Sequence, residues 1–74
     1  MCGIIGISSN KSVSSNIINS LKKLEYRGYD SAGIATLFEG EINEVKSEGR
    51  VDTLEQNFDL KNLKGNIGIG HVRW

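Results

Sequence analysis

Proline is absent from this 74-residue chain, and cysteine, histidine and tryptophan each occur once. A single cysteine rules out a disulfide framework within the monomer. No covalent staple therefore supplements a core that, at this size, covers only about 60% of the unfolded surface. Cys2 and His71 are the only soft or imidazole ligands, too few for a metal site built on such residues. Nine basic and nine acidic residues cancel, so the chain lacks the positive excess with which nucleic-acid partners are held. No apolar run approaches the roughly 20 residues that span a bilayer. The chain does not open with a basic stretch followed by an apolar one, so no secretory signal is expected. A lone thiol suits a reducing compartment, and a cytoplasmic setting is expected. No motif calls for a cofactor.

Glycine, by contrast, is plentiful, and it punctuates a readable pattern. Residues 3–8 alternate isoleucine with glycine and suit a buried strand. Ser8, Ser9, Asn10 and Ser12 form a turn offering several helix N-caps. Val13, Ile17, Ile18, Leu21 and Leu24 then fall on one helical face, predicting a helix over about 12–24. Lys22 and Lys23 suit the negative end of its dipole. Gly28 breaks the pattern, and residues 26–31 are expected to form a loop. Ala32 to Phe38 and Ile42 to Ser47 are expected to make a hairpin around Glu39-Gly40-Glu41. A short helix is expected near Val51 to Asn57, with Val51, Leu54 and Phe58 on one side. A last strand runs from Asn66 toward Trp74. The order β-α-β-β-α-β predicts an α+β layered fold. An apolar strand ending on tryptophan is an unusual terminus, so residues 1–74 are expected to be the first part of a longer domain.

The chemistry concentrates at the two ends. Methionine excision is favoured by a small second side chain, and it would leave Cys2 with a free α-amine beside its thiol. The amine, with a pKa of about 7.7–8.0, is half neutral near physiological pH. It can serve as the thiol's general base, and a thiolate is a strong nucleophile. The plainer alternative is a small apolar residue starting a strand. Arg73 offers a planar fork for a carboxylate or phosphate, with Trp74 as a possible pocket wall; its plainer alternative is a surface ion pair. Asp30, Ser31 and His71 contain the residue types of a hydrolase triad, but Ser31 lies in no G-x-S-x-G elbow and nothing in the sequence brings His71 near it. Gly65-x-x-Gly68-x-Gly70 and Gly3-x-x-Gly6 lack the spacing or partners of nucleotide loops. Close backbone approach or a bulge is their expected role. The Tyr26–Ser31 segment could stack on RNA bases, but the charge balance argues against it.

Three segments together carry a resemblance: MCGIIGI at residues 1–7, LEYRGYDSAGIA at 24–35, and GIGHVRW at 68–74. Their order and spacing resemble the glutaminase domain of the glutamine–fructose-6-phosphate aminotransferase family. The opening alone is common to class II glutamine amidotransferases, and YRGYDSAG is the more discriminating segment. Val72 departs from the threonine usual in that family and is closer to phosphoribosyl-pyrophosphate amidotransferases.

The resemblance implies a four-layer αββα sandwich of the N-terminal-nucleophile type, of which this chain would be one part. It implies Cys2 as the nucleophile toward the side-chain amide of glutamine, Arg73 as the grip on the glutamine α-carboxylate, and Trp74 as the start of a closing loop. Arg27 and Gly28 would lie near the nucleophile. No metal or cofactor is implied. Fructose 6-phosphate would be a substrate only of the full-length enzyme, through its sugar isomerase domain, and that enzyme would be a homo-oligomer. Because the family's oxyanion donors lie beyond residue 74, the chain alone is expected to be inactive. Another class II amidotransferase, or a non-catalytic remnant acting as an interaction module, are the competing expectations.

Overall fold

The strand that comes last in the sequence lies inside the sheet rather than at its edge. The computed structural model describes residues 2–27, 30–60 and 63–73, with the backbone alone at Arg27. Its elements are β1 (Gly3–Ser8), α1 (Ser14–Leu24), a single 3-10 turn (Glu25–Arg27), β2 (Ser31–Phe38), β3 (Glu41–Glu48), α2 (Val51–Asn57) and β4 (Ile67–Arg73). The sheet order is β1-β4-β2-β3, and every neighbouring pair is antiparallel. The expected order of elements is therefore present. The difference is at residues 25–27, where the expected loop begins as a helical turn continuing α1.

Both helices lie on one face of the sheet. Val13, Ile17, Ile18 and Leu21 of the α1 segment, with Val51 and Leu54 of α2, close a core over Ala32, Ile34 and Val72. Phe58, expected on the same side as Val51 and Leu54, is 38% exposed instead; α2 ends at Asn57, and Phe58 is already extended. α1 sits very close to β4, and two glycines make this possible. A Cβ on Gly70 would stand 2.5 Å from Cγ2 of Ile17, and one on Gly68 would stand 2.9 Å from Cδ1 of Ile17. These glycines serve close packing, as their spacing suggested. The one buried threonine, Thr36, donates its hydroxyl to the Lys64 carbonyl at 2.7 Å, so its burial leaves no orphan polar group.

The start of α1 departs from expectation. Val13, not a serine, holds the N-cap position and makes no side-chain cap. Val13 is fully buried, and its N–H donates to the Gly65 carbonyl at 3.0 Å. Burying the valine and satisfying its amide on the approach to β4 overrides the local preference for a hydroxyl cap. α2 is held differently. The Glu25 carboxylate accepts the Val51 N–H at 2.5 Å, and Lys22 bridges Asp52 and Glu55 of α2. The hydrogen bond to Glu55 is the main cause holding the Lys22 ammonium above its ordinary pKa.

The β2–β3 hairpin closes through Glu39 and Gly40, both at positive φ, 52° and 80°. This is the backbone of a two-residue type I′ turn, which favours asparagine at the first position. Glutamate tolerates that left-handed conformation poorly. Glu39→Asn is expected to stabilise the chain by a few tenths to about 1 kcal/mol, read as a higher urea midpoint at unchanged slope.

Candidate active site

Antiparallel register assembles a surface that no local pattern specifies. On the face away from the helices, Arg73 pairs with Ser31, and Ser31 pairs with Glu48. Gly3 pairs with Val72, so the next step along both strands sets Cys2 beside Arg73. Paired Cα atoms in such ladders lie about 4.5–5.5 Å apart. Cys2, Arg73, Ser31 and Glu48 thus form one row across the end of the sheet. Cys2, Arg73 and Glu48 are exposed and Ser31 is half-buried. Arg73 makes no ion pair among the described residues. Its side chain is exposed at the end of β4.

The second row is Ile4, His71, Gly33 and Lys46. A Cβ on Gly33 would stand 2.6 Å from Nε2 of His71 and 3.2 Å from Cγ of Lys46. The imidazole therefore lies across β2 toward β3, over Gly33, where an added Cβ would require the ring to swing aside. It leans away from Cys2. Ser31 and His71 share a shallow depression with Lys46 and Glu48, an adjacency that no local pattern predicts. No hydrogen bond joins Ser31 to His71 among the described residues, and Asp30 is exposed in the bend before β2. The elements of a triad are near one another without being connected as one.

The remaining rows are Gly6, Ile69, Ala35 and Glu44, then Ser8, Ile67, Leu37 and Ile42. The face grows apolar with distance from Cys2. Ile4 is 77%, Ile42 74% and Ile69 60% exposed. Apolar residues exposed together on one face mark an interaction surface.

The other predicted positions fare unevenly. Gly28 and Trp74 lie outside the described residues, and so does the side chain of Arg27. The backbone of Arg27 closes the 3-10 turn after α1. Glu25 and Asp30, on either side of the undescribed pair, are each bonded to the start of α2 or the turn before it. Glu25 accepts from Val51 N–H, and the Asp30 carbonyl accepts from Gly49 N–H at 2.8 Å. Gly49 has φ +95°, which its position in that turn requires. Glu48 is a member of the row that no motif singled out, and Ser31 stood out only as a hydroxyl for a triad. Extending the β2 alternation back one residue from Ala32 would have placed Ser31 on this face. Among the described residues no three of His, Cys, Asp and Glu gather closely enough to hold a metal ion, and no helix is long and apolar enough to cross a membrane.

No family model matches the chain. Over all 74 residues it is 53% identical to the glutamine–fructose-6-phosphate aminotransferase of Bartonella henselae. It is 54% identical to the enzymes of that name from Clostridium acetobutylicum and Pyrococcus horikoshii. The chain spans 12% of the length of each of these curated relatives. Among solved structures, the glutamine phosphoribosylpyrophosphate amidotransferase of B. subtilis, complexed with ADP and GMP, superposes with a TM-score of 0.89 at 28% identity. An allosteric regulatory enzyme of purine biosynthesis superposes at 0.88, also at 28% identity. Each comparison covers 100% of this chain and 16% of the solved one. The α+β fold is that of the matching part of these solved enzymes, the B. subtilis amidotransferase among them, as expected for one part of an N-terminal-nucleophile sandwich. Val72 pointed toward the phosphoribosyl-pyrophosphate enzymes, but sequence similarity over the whole chain lies with the aminotransferases.

Proposed function

We propose that this chain supplies the nucleophile and the carboxylate grip of the glutaminase site in a glutamine–fructose-6-phosphate aminotransferase. The register that sets Cys2 beside Arg73 carries the reading, because it joins the two ends of the sequence that the chemistry needs together. Identity of 53–54% with aminotransferases of that name supports it.

Removal of Met1 frees the α-amine of Cys2. The neutral amine takes the thiol proton, and the sulfur attacks the side-chain carbonyl carbon of glutamine. The tetrahedral intermediate collapses as the C–N bond breaks and the amine proton passes to the leaving nitrogen, giving ammonia and a thioester. Water, deprotonated by the same amine, adds to the thioester. The C–S bond breaks, releasing glutamate and restoring the thiol. Arg73 holds the glutamine α-carboxylate through its bidentate fork, and Trp74 begins the loop that closes over the substrate. Arg27 and Gly28 border the nucleophile. The apolar far rows of the open face receive the second sheet of the sandwich. Ammonia then passes to a sugar isomerase domain acting on fructose 6-phosphate, in a cytoplasmic homo-oligomer.

In this scheme the oxyanion donors for the tetrahedral intermediate are those that the family resemblance places beyond residue 74, and loss of even one such donor costs about 100–1,000-fold. The chain alone is expected to release no glutamate from glutamine. Joined to the remaining glutaminase segment of the Clostridium acetobutylicum relative, it is expected to release glutamate and ammonia in equal amounts. Turnover by the 74-residue chain itself, or a folded but silent fusion, would overturn the proposal.

A further inference from the structure

The row holding Cys2 and Arg73 has a third member that nothing so far employs. We propose that the Ser31 hydroxyl is a second donor to the carboxylate gripped by Arg73, making Ser31 a substrate-binding residue for a carboxylate-bearing ligand of Cys2. The proposal rests on the glutaminase reading and extends its binding site by one residue.

Ser31 is the direct ladder partner of Arg73 and occupies the same face of the sheet. It is half-buried, and its hydroxyl makes no hydrogen bond among the described residues. Its backbone is well fixed. Ser31 pairs with Arg73 on one side and Glu48 on the other, and the preceding Asp30 carbonyl is held by Gly49 N–H. A carboxylate has about four lone-pair sites, and a bidentate arginine occupies two of them. A hydroxyl one strand away is suited to donate to a third. Glu48, beyond Ser31 in the same row, repels an anion and confines it to the Arg73 side. Gly33 contributes as well, because it lets the His71 imidazole lie toward β3 instead of over the Ser31–Arg73 pair.

Alkylation of Cys2 in the 74-residue chain tests this. Iodoacetate and iodoacetamide both transfer a methylene carbon to sulfur with loss of iodide, and only the first carries a carboxylate. The ratio of their rate constants cancels changes in thiol exposure and acidity that affect both reagents alike. In the native chain the ratio is expected to exceed that in denaturing urea. Ser31→Ala should lower it about three- to tenfold, the effect of one modest hydrogen bond. Ser31→Thr should restore it, and Arg73→Ala should lower it at least as far as Ser31→Ala. If Arg73→Ala lowers the ratio and Ser31→Ala does not, Ser31 has no binding role while the glutaminase reading stands. A ratio insensitive to Arg73 and equal in native and denatured chain sinks both. Equal losses in Ser31→Ala and Ser31→Thr would trace the effect to packing and overturn the hydroxyl's role.

Discussion

Replacing Cys2 with alanine in the completed glutaminase domain is expected to abolish glutamine hydrolysis, by a factor on the order of 10⁴ or more. Nucleophile deletions elsewhere leave only what binding and oxyanion donors provide. Two companion variants separate the roles that Cys2 combines. Cys2→Ser keeps a hydroxyl and the amine but loses the thiolate's nucleophilicity, and should retain only a trace of the activity. An alanine inserted between Met1 and Cys2 leaves the thiol present and alkylatable while moving the α-amine to another residue. If the amine is the base, that insertion should be nearly as damaging as Cys2→Ala. Glutamate release measured against pH supplies an independent check. A neutral amine is required, so activity should rise through about pH 7.7–8.0, the ordinary range for an α-amine, and then level off. Full activity in the insertion variant would remove the amine from the mechanism while leaving the thiol in it.

What could be read from the residues divides along a physical line. Val13, Ile17, Ile18 and Leu21 repeat at helical spacing, and isoleucine and glycine alternate near both ends. Such periodicity is a local property, and α1, α2 and the strands appear close to where it placed them. Register between strands distant in sequence is not local. Nothing in Ile67–Arg73 says that it inserts between β1 and β2, yet that insertion alone puts Arg73 between Cys2 and Ser31. The same insertion makes Ser31 and His71 neighbours, a proximity for which the sequence offered no reason. Local preference also yielded wherever burial outweighed it. Val13 takes the cap position expected of a serine because its side chain is fully enclosed. Glu25 satisfies the first amide of a helix 26 residues away, a pairing visible only once the chain has folded. Cys2 and Arg73 were legible as chemistry because their residue types are unusual in their places. Ser31 was legible only as a triad hydroxyl without its elbow, and its place beside Arg73 was not, because that depends on register.

Gly70→Ala is expected to destabilise the chain by about 1–3 kcal/mol, the cost of overpacking a core by one methyl group. The added Cβ would stand 2.5 Å from Cγ2 of Ile17 and 3.1 Å from Cδ1 of Leu21. Ile17 is fully buried in the middle of α1, and a β-branched side chain in a helix has essentially one χ1 rotamer. Its methyl cannot swing aside, so α1 must move off β4. A domain of this size holds only about 3–5 kcal/mol of core stability, so the loss is a large fraction of the total. Gly6→Ala is the control. Gly6 lies in the neighbouring strand on the open face, and a Cβ there meets nothing closer than 3.8 Å; its effect should stay within about 0.5 kcal/mol. Urea melts of the two variants compare them directly, and equal midpoints would refute the close-packing role of Gly70. The site should feel the same change, because α1 and Arg73 share β4 as their support. Lifting α1 loosens the strand that presents the guanidinium, so Gly70→Ala should also pull the iodoacetate-to-iodoacetamide ratio at Cys2 toward its denatured value, while Gly6→Ala leaves it near that of the parent chain.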